Sequence, residues 1–441
     1  MKYLRVLLFA FLLIFVGRVA NPTYAQSDAS LALVMTANGP IMPPMLEYFK
    51  RGIATAENRN AEVLIIELNT PGGSVSTMLE MVQIMRDSQV PIVVYVAPND
   101  AIAGSAGALI TMAGHASAMT PSAAIGAASP IDSSGNDIQS TLKSKINEML
   151  KAKARGLVER RGASAVKLAE AMIDSAKAVT AKEARGVKLI DFISKDTNAL
   201  LEQLNGFSVT TKDDTRKLNT QHIVVEALPM NLIESLLLTL TDPNIVFLLL
   251  SIGTMAILIE MSSPGGWAAG FIGAVCLALA IYGMGVLPIN GFGAIFFIIA
   301  FVLFILDIKA PTHGALTLAG VGSFIVGALV LFNSPGTPQF QRVSIPLVIG
   351  MGVFIGAIFF AALIFVVRAQ RGRIQTGAEA LVGKTGIAKS FGGNAGQIQV
   401  GSELWSAEKS PESEKIHKGD SIEVVEVKGL RLIVKKRDSH L

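Results

Sequence analysis

From Asn231 to Val367 the chain has six charged residues in 137 positions: Glu234, Asp242, Glu260, Asp307, Lys309 and Arg342. A soluble domain carries about 25% charge and cannot leave a segment of that length uncovered, so this part belongs in lipid. Glycine, proline and asparagine divide it into five apolar runs, at 244–261, 267–286, 291–307, 315–332 and 345–367. Each is close to the roughly 17 to 25 residues that cross a bilayer. The third is short and contains glycine, which leaves a re-entrant segment open beside a full crossing. The composition of all 441 residues agrees, with 51% hydrophobic and 16% charged. Disorder is excluded for most of the length, because only polar, charge-rich chains fail to bury a core. The single cysteine, Cys276, excludes a disulfide framework and any multi-thiolate metal site.

The flanks of this segment differ from it. Residues 1–25 begin with Lys2 and Arg5, continue through the apolar run from Val6 to Gly17, and end in Thr23-Tyr24-Ala25. A basic start, an apolar run of about 12 residues and a small-residue site make a secretory signal peptide, cleaved after Ala25 or retained as an anchor, and either way the next domain is exported. Residues 26–230 carry 20 Lys and Arg against 21 Asp and Glu, the balance of a soluble and, given the signal, exported domain. Five crossings would then place the C-terminus in the cytoplasm, and Arg368, Arg371 and Arg373 follow the last run as the positive-inside rule asks. Residues 376–441 return to soluble composition, with short β-like runs separated by Gly392-Gly393-Asn394 and Lys418-Gly419-Asp420. That pattern predicts a small OB-like barrel. Its only aromatics after Gln375 are Phe391 and Trp405, too few for a stacking groove, so a protein-binding or structural module is expected and nucleic acid is not.

The exported domain alternates buried apolar strands such as Val63-Leu64-Ile65-Ile66 with helical segments at about 43–57, 75–87 and 102–113. This predicts an α/β domain around a mostly parallel sheet. Strand-turn-helix units place backbone N–H groups at helix starts, where an anion can be held. Two such turns stand out. Asn69-Thr70-Pro71-Gly72-Gly73-Ser74 follows a strand, and its paired glycines suit an oxyanion hole, a peptide ledge or an ordinary turn. In Ala103-Gly104-Ser105-Ala106-Gly107-Ala108, small residues leave the Ser105 hydroxyl accessible and the Ala106 N–H able to face an oxyanion. The same small residues also suit tight packing of a structural helix.

A nucleophilic serine needs a base. His115 lies ten residues beyond Ser105, about 15 Å along a helix, and His222 falls in the linker toward the membrane segment, so neither is a good base. Lysine is the other option, because desolvation favours the neutral amine. Residues 138–161 read as a long amphipathic helix with Ile138, Leu142, Ile146, Met149, Leu150 and Leu157 on its apolar stripe. Lys143, Lys145, Lys151 and Lys153 lie on this helix, each also readable as a solvated surface residue; Lys145, beside Leu142, Ile146 and Met149, is placed for partial burial.

With Asn69-Thr70-Pro71-Gly72-Gly73, Gly104-Ser105-Ala106-Gly107 and Ile125-Gly126-Ala127-Ala128 in this order, followed by the apolar segment and the barrel, the chain resembles the NfeD-type membrane-bound serine proteases, ClpP-class enzymes of the crotonase-like fold. The resemblance covers essentially the whole chain. It implies Ser105 as nucleophile, Lys145 as base with Lys143 one alignment slip away, and an oxyanion hole formed by Gly72, Gly73 and Ala106. Soluble ClpP keeps a histidine roughly 25 residues after its serine, where this chain has Ala127-Ala128-Ser129-Pro130. Asn69 departs from the aspartate of many members, which bears on turn hydrogen bonding more than on chemistry.

The apolar runs imply a multi-pass protein of the inner membrane, and with no Walker A pattern and no ligand cluster no metal or other cofactor is expected; by the resemblance the chain is expected to be a homo-oligomeric protease. It would cut hydrophobic segments of membrane proteins such as a stomatin-like partner. A non-catalytic membrane scaffold for such partners is the alternative; an acyl-CoA enzyme of the crotonase type is disfavoured by export.

Overall fold

The computed structural model describes residues 30–130, 140–262, 265–310, 312, 314–334, 337, 339–371 and 378–437. The expected signal peptide and most of the polar loop at 128–138 lie outside these residues. The chain divides into two compact units, one ending at Ile355 and the other beginning at Gly356.

In the first unit the order is β1 (Leu31–Asn38), α1 (Pro43–Asn58), β2 (Val63–Asn69), α2 (Val75–Asp87), β3 (Ile92–Val96), β4 (Ile102–Gly104), α3 (Ala106–Ala113), β5 (Ala116–Met119) and β6 (Ala124–Gly126). There follow α4 (Ser140–Val158), a 3-10 turn at Glu159–Arg161, α5 (Ala163–Asp174), β7 (Ala178–Thr180), α6 (Ala181–Gly186), β8 (Phe192–Ile193) and α7 (Thr197–Leu204). The domain ends with β9 (Ser208–Thr210), β10 (Thr215–Lys217) and β11 (Val224–Ala227).

Six strands form one parallel sheet in the order β11-β1-β2-β3-β5-β8. The expected apolar runs supply its centre: all five residues of β3 are buried. Alternate side chains feed two layers. Leu64, Ile66 and Leu68 pack with Met45, Phe49, Met81 and Met85 of α1 and α2, while Val63 and Ile65 pack with Leu200, Leu201 and Leu204 of α7. Asn38 pairs with Asn69, Leu68 with Val96, and Val96 with Met119. The C-terminal ends of four strands therefore align along one edge, and the turn that follows β2 opens there.

A second, three-stranded sheet, β4-β6-β7, stands at that edge, completing the expected α/β architecture. Here the expected helix at 102–113 needs correction, since its first turn is strand. Thr70 N–H donates to Ile102 O at 2.7 Å and Gly104 N–H to Thr70 O at 2.9 Å, so pairing with the β2 turn overrides local helical preference. A second correction concerns the linker: residues read as leading away to the membrane form β11, which pairs with β1 from Leu31↔Val224 to Val34↔Ala227.

Beyond β11 the chain stays tied to the domain. Tyr48 Oη donates to Leu228 O at 2.5 Å, and α8 (Leu232–Thr239) packs on α1. The apolar helices follow as α9 (Pro243–Ser262), α10 (Ala268–Val286), α11 (Gly291–Lys309), α12 (Ala315–Phe332) and α13 (Ile345–Arg371). Three of them, α9, α10 and α12, are long and apolar enough to cross a membrane; the apolar parts Gly291–Asp307 and Ile345–Ala361 of the others are shorter.

Glycines let the helix pairs close up. A Cβ on Gly253 would lie 2.8 Å from Leu277, and one on Gly320 2.8 Å from Phe304, as close helix packing in lipid requires. The two acids at helix ends are held by their neighbours. Glu260 accepts N–H bonds from Gly265, Trp267 and Gly270 around the start of α10, and Asp307 accepts from the hydroxyls of Thr312 and Thr317.

The second unit ends in five strands, β12 (Thr385–Gly392), β13 (Ala395–Val400), β14 (Glu403–Lys409), β15 (Ser421–Lys428) and β16 (Arg431–Lys436). They close as β12-β13-β14-β16-β15, with β14 and β16 parallel and β12 returning to β15. This is the OB-like barrel. Gly401, at φ 61°, turns the chain between β13 and β14. Ile416, 5% exposed, reaches into the barrel core from the loop between β14 and β15.

Candidate active site

Ser105 occupies the junction between β4 and α3 with φ 52° and ψ −115°. A side chain in that region costs about 1–3 kcal/mol and persists only where the surroundings hold it. Its N–H donates to Gly126 O at 2.8 Å, and all eight residues of α3 behind it are buried. Ser105 itself is half-buried. The short strand and rigid helix thus raise one hydroxyl at the edge of the sheet.

The glycine turn faces it. Gly72 has φ +119°, and a Cβ there would come within 2.6 Å of Ser105 Cβ and 3.1 Å of Ser105 Oγ. A Cβ on Gly73 would lie 2.2 Å from Ile41 O, so that glycine serves a close approach of two backbones. Ile41 N–H donates to Gly72 O and Ser74 N–H to Ile41 O, both at 2.8 Å. The turn is also stitched to both neighbouring strands: Asn69 Oδ1 accepts the Ile102 N–H at 3.0 Å, and Asn69 Nδ2 donates to Asn38 Oδ1 at 3.2 Å. The Asn69 amide thus makes the turn hydrogen bonds at the position where the sequence departs from the family pattern.

The three expected oxyanion donors differ. Gly72 N–H already donates to Thr70 Oγ1 at 3.1 Å. Among the described residues no protein acceptor takes the N–H of Gly73 or of Ala106. Thr70, fully buried, is the residue that sequence reasoning missed; a hydroxyl residue two positions before a glycine is the local signal for such a side-chain-closed turn.

The lysines are less convergent. Helix α4 packs on both α3 and α5, but its N-terminal half stands out from the body. Leu150, Ala154 and Val158 are buried and Ile146 is half-buried, whereas Leu142 is 53% and Met149 45% exposed. The expected burial of Lys145 is therefore corrected: the residue is exposed, and Lys143 is half-buried. The cause is that the apolar stripe meets the core only from about Ile146 onward. No hydrogen bond joins Lys145 to Ser105 among the described residues. Lys151 contacts Glu148 at 2.5 Å and Asp174 at 3.2 Å. Those bonds, first Glu148 and then Asp174, push its ammonium above the ordinary lysine range, which disqualifies it as a neutral base.

Neither histidine reaches the serine. His115 is 1% exposed and its Nδ1 accepts the Ile92 N–H at 3.0 Å. Burial, with Arg86, Arg160 and Arg216 nearby, lowers its pKa to about 4, so it is a neutral structural group. His222 is exposed, two residues before β11.

Comparison with known proteins matches the three parts of the chain to three family descriptions. Residues 35–220 match the NfeD1b N-terminal domain, 244–365 the NfeD integral membrane domain, and 378–436 the NfeD-like C-terminal, partner-binding domain. A membrane-bound protease of Pyrococcus horikoshii is 34% identical over 98% of this chain and 97% of its own length. The membrane protein NfeD1b of Bacillus subtilis is 26% identical over 98% of each. A solved N-terminal domain of a membrane-bound stomatin-specific protease, a lysine-to-alanine variant with a substrate peptide, is 30% identical with a TM-score of 0.46, covering 49% of this chain and all of that one. With all three parts matched in order and a full-length relative at this identity, the chain belongs to the NfeD family, as an NfeD-type membrane protease.

Proposed function

We propose that this chain is a membrane-bound serine endopeptidase in which Ser105 is the nucleophile and Lys145 the base. The observation that carries the reading is the held, left-handed conformation of Ser105 against the Gly72 turn, with the N–H groups of Gly73 and Ala106 unclaimed beside it. In this mechanism neutral Lys145 takes the Ser105 proton as Oγ attacks a peptide carbonyl. The N–H groups of Gly73 and Ala106 receive the oxyanion, and Gly72 shapes the turn that holds them. Loss of one such donor costs about 10² to 10³ in rate. Lys145 then protonates the leaving amine, and water releases the acyl group.

The exposure of Lys145 has a counterpart in substrate choice. Leu142, Ile146 and Met149 share a face of α4 with Lys145, and two of the three apolar residues are exposed. An apolar peptide laid on that face would cover them and exclude water from the amine together. This supports hydrophobic segments as substrates, and a stomatin-like membrane protein as the partner, in line with the relative whose solved domain is described as stomatin-specific. Five crossings, an exported protease domain and a cytoplasmic barrel complete the reading.

The test is cleavage of apolar peptides by wild type, Ser105→Ala, Lys145→Ala and Lys143→Ala. Loss with the first two and retention with the third establishes the dyad; loss with Lys143→Ala and retention with Lys145→Ala moves the base by two residues. Equal processing of the partner by wild type and Ser105→Ala would leave the scaffold reading, which the exposed lysine otherwise favours.

A further inference from the structure

At the other edge of the sheet, where β5 and β8 begin, a cavity of about 380 Å³ is lined by Arg160, Arg161, Arg185, Lys188, Asp191 and two aromatic rings, Phe192 and Phe207. Its volume falls in the lower part of the roughly 300–1,000 Å³ typical of small-molecule sites. Four cations face one carboxylate, and that carboxylate is already engaged. Asp191 Oδ2 accepts the Ser117 N–H at 2.8 Å and lies 2.9 Å from Arg161 Nη1.

The Arg161 side chain is only 5% exposed. Its Nη2 donates to Ser117 Oγ at 3.0 Å, while Nε and Nη1 are buried without a hydrogen-bond acceptor, the Asp191 contact being an ion pair of poor hydrogen-bond geometry. Leaving a buried charged donor unsatisfied is costly. Arg160 is fixed beside it by Nη2 bonds to the carbonyls of Gly114 and His115 at 3.2 and 2.8 Å. Arg185 and Lys188 are exposed at the rim.

A purely structural latch between the 3-10 turn and the sheet needs Arg161 and Asp191 alone. It does not explain the surplus of cations. We infer that this cavity is a binding site for a small molecule bearing a phosphate group, held by Arg161 within and by Arg185 and Lys188 at the rim, with its less polar part against Phe192 and Phe207. Arginine forks match phosphate oxygens in pairs, and a dianion balances the surplus charge better than a single carboxylate does. The rings meet edge to face at 4.9 Å between centroids. The site is separate from Ser105, which stands at the opposite edge of the sheet, and it does not depend on the proposed protease chemistry.

The test is isothermal titration of the full chain in nonionic detergent at neutral pH, with inorganic phosphate, AMP and a short-chain phosphatidylglycerol as probes and chloride at matched ionic strength as control. Saturable binding of phosphate and AMP is expected, with chloride silent. Arg185→Ala and Lys188→Ala, both at exposed positions that leave the fold intact, each lose at least about tenfold in affinity, and Arg161→Gln loses more. Binding of AMP without the lipid assigns a soluble ligand; binding of the lipid alone assigns a headgroup, and either supports the phosphate chemistry. Absence of saturable heat with every probe, or unchanged affinity in both rim variants, overturns it.

Discussion

Gly72 and Ser105 are so close that the smallest side chain on the first would strike the second, a Cβ on Gly72 lying 2.6 Å from Ser105 Cβ. The backbone of Gly72, at φ +119°, is also one that L residues rarely adopt. Gly72→Ala is therefore expected to lose about 1–3 kcal/mol of stability through strain and to displace the serine. Peptide hydrolysis should fall by at least about 10², the scale of a lost oxyanion contact. Melting temperature and cleavage rate check the two effects separately, and a Gly72→Ala protein that keeps its full rate would show that the turn does not shape the site.

Strain at Ser105 gives a second prediction, in which stability and activity move apart. With φ 52° and ψ −115°, the serine carries a cost that alanine retains and glycine does not. Ser105→Ala and Ser105→Gly should both lose hydrolysis, but Ser105→Gly should be about 1 kcal/mol more stable than Ser105→Ala. Comparing the melting temperatures of the two inactive variants isolates the backbone term from the hydroxyl. Equal values would mean that the conformation is unstrained.

Much of this arrangement is legible in the residues themselves. The apolar period and punctuation locate α12 to the residue, and the buried runs give β2 and β3, because those signals are local. The glycine turn and the Gly104-Ser105-Ala106 junction are visible for the same reason, since each needs residues without bulk. What escapes is set by pairing at a distance. β4 becomes a strand only because Thr70 and Gly126 lie beside it, and β11 only because β1 has a free edge. The depth of Lys145 escapes too, since an amphipathic stripe shows which face of α4 is apolar and not how far along the helix the core extends.

His115 should matter to stability below neutrality and not to chemistry. Its pKa in the fold, lowered by burial first and by Arg86, Arg160 and Arg216 after that, is about 4 against an ordinary 6.5. Between those values the unfolded chain binds a proton that the folded chain refuses. The stability is whole above about pH 6.5 and declines as pH falls toward 4, by about 3 kcal/mol over the window. His115→Gln, which keeps an acceptor for the Ile92 N–H, should flatten the melting temperature across this range while leaving the pH profile of hydrolysis unmoved. A profile that shifts with the substitution would give the histidine a part in catalysis.

An ion pair strengthens the tie between the N-terminal domain and the helices that follow it. Arg51 on α1 donates through Nε and Nη2 to Glu234 on α8 at 2.6 and 2.8 Å, and also to Pro229 O at 2.7 Å. Glu234, with its side chain 9% exposed, caps its own helix by accepting the Asn231 N–H at 2.9 Å. Burial alone would raise its pKa, but the bonds from Arg51 and Asn231 outweigh burial and hold it below the usual 4.5. The depressed value means that the contribution is complete above about pH 4.5 and is lost as pH falls through the folded-state pKa. Arg51→Ala leaves a buried carboxylate without its partner and should cost about 1–3 kcal/mol. Hydrogen exchange at 229–239 should quicken accordingly. Replacing both residues by leucine should recover part of that loss, because the second substitution removes the orphaned charge. If exchange in this segment is as slow in Arg51→Ala as in wild type, packing of α8 on α1 holds the junction without the pair.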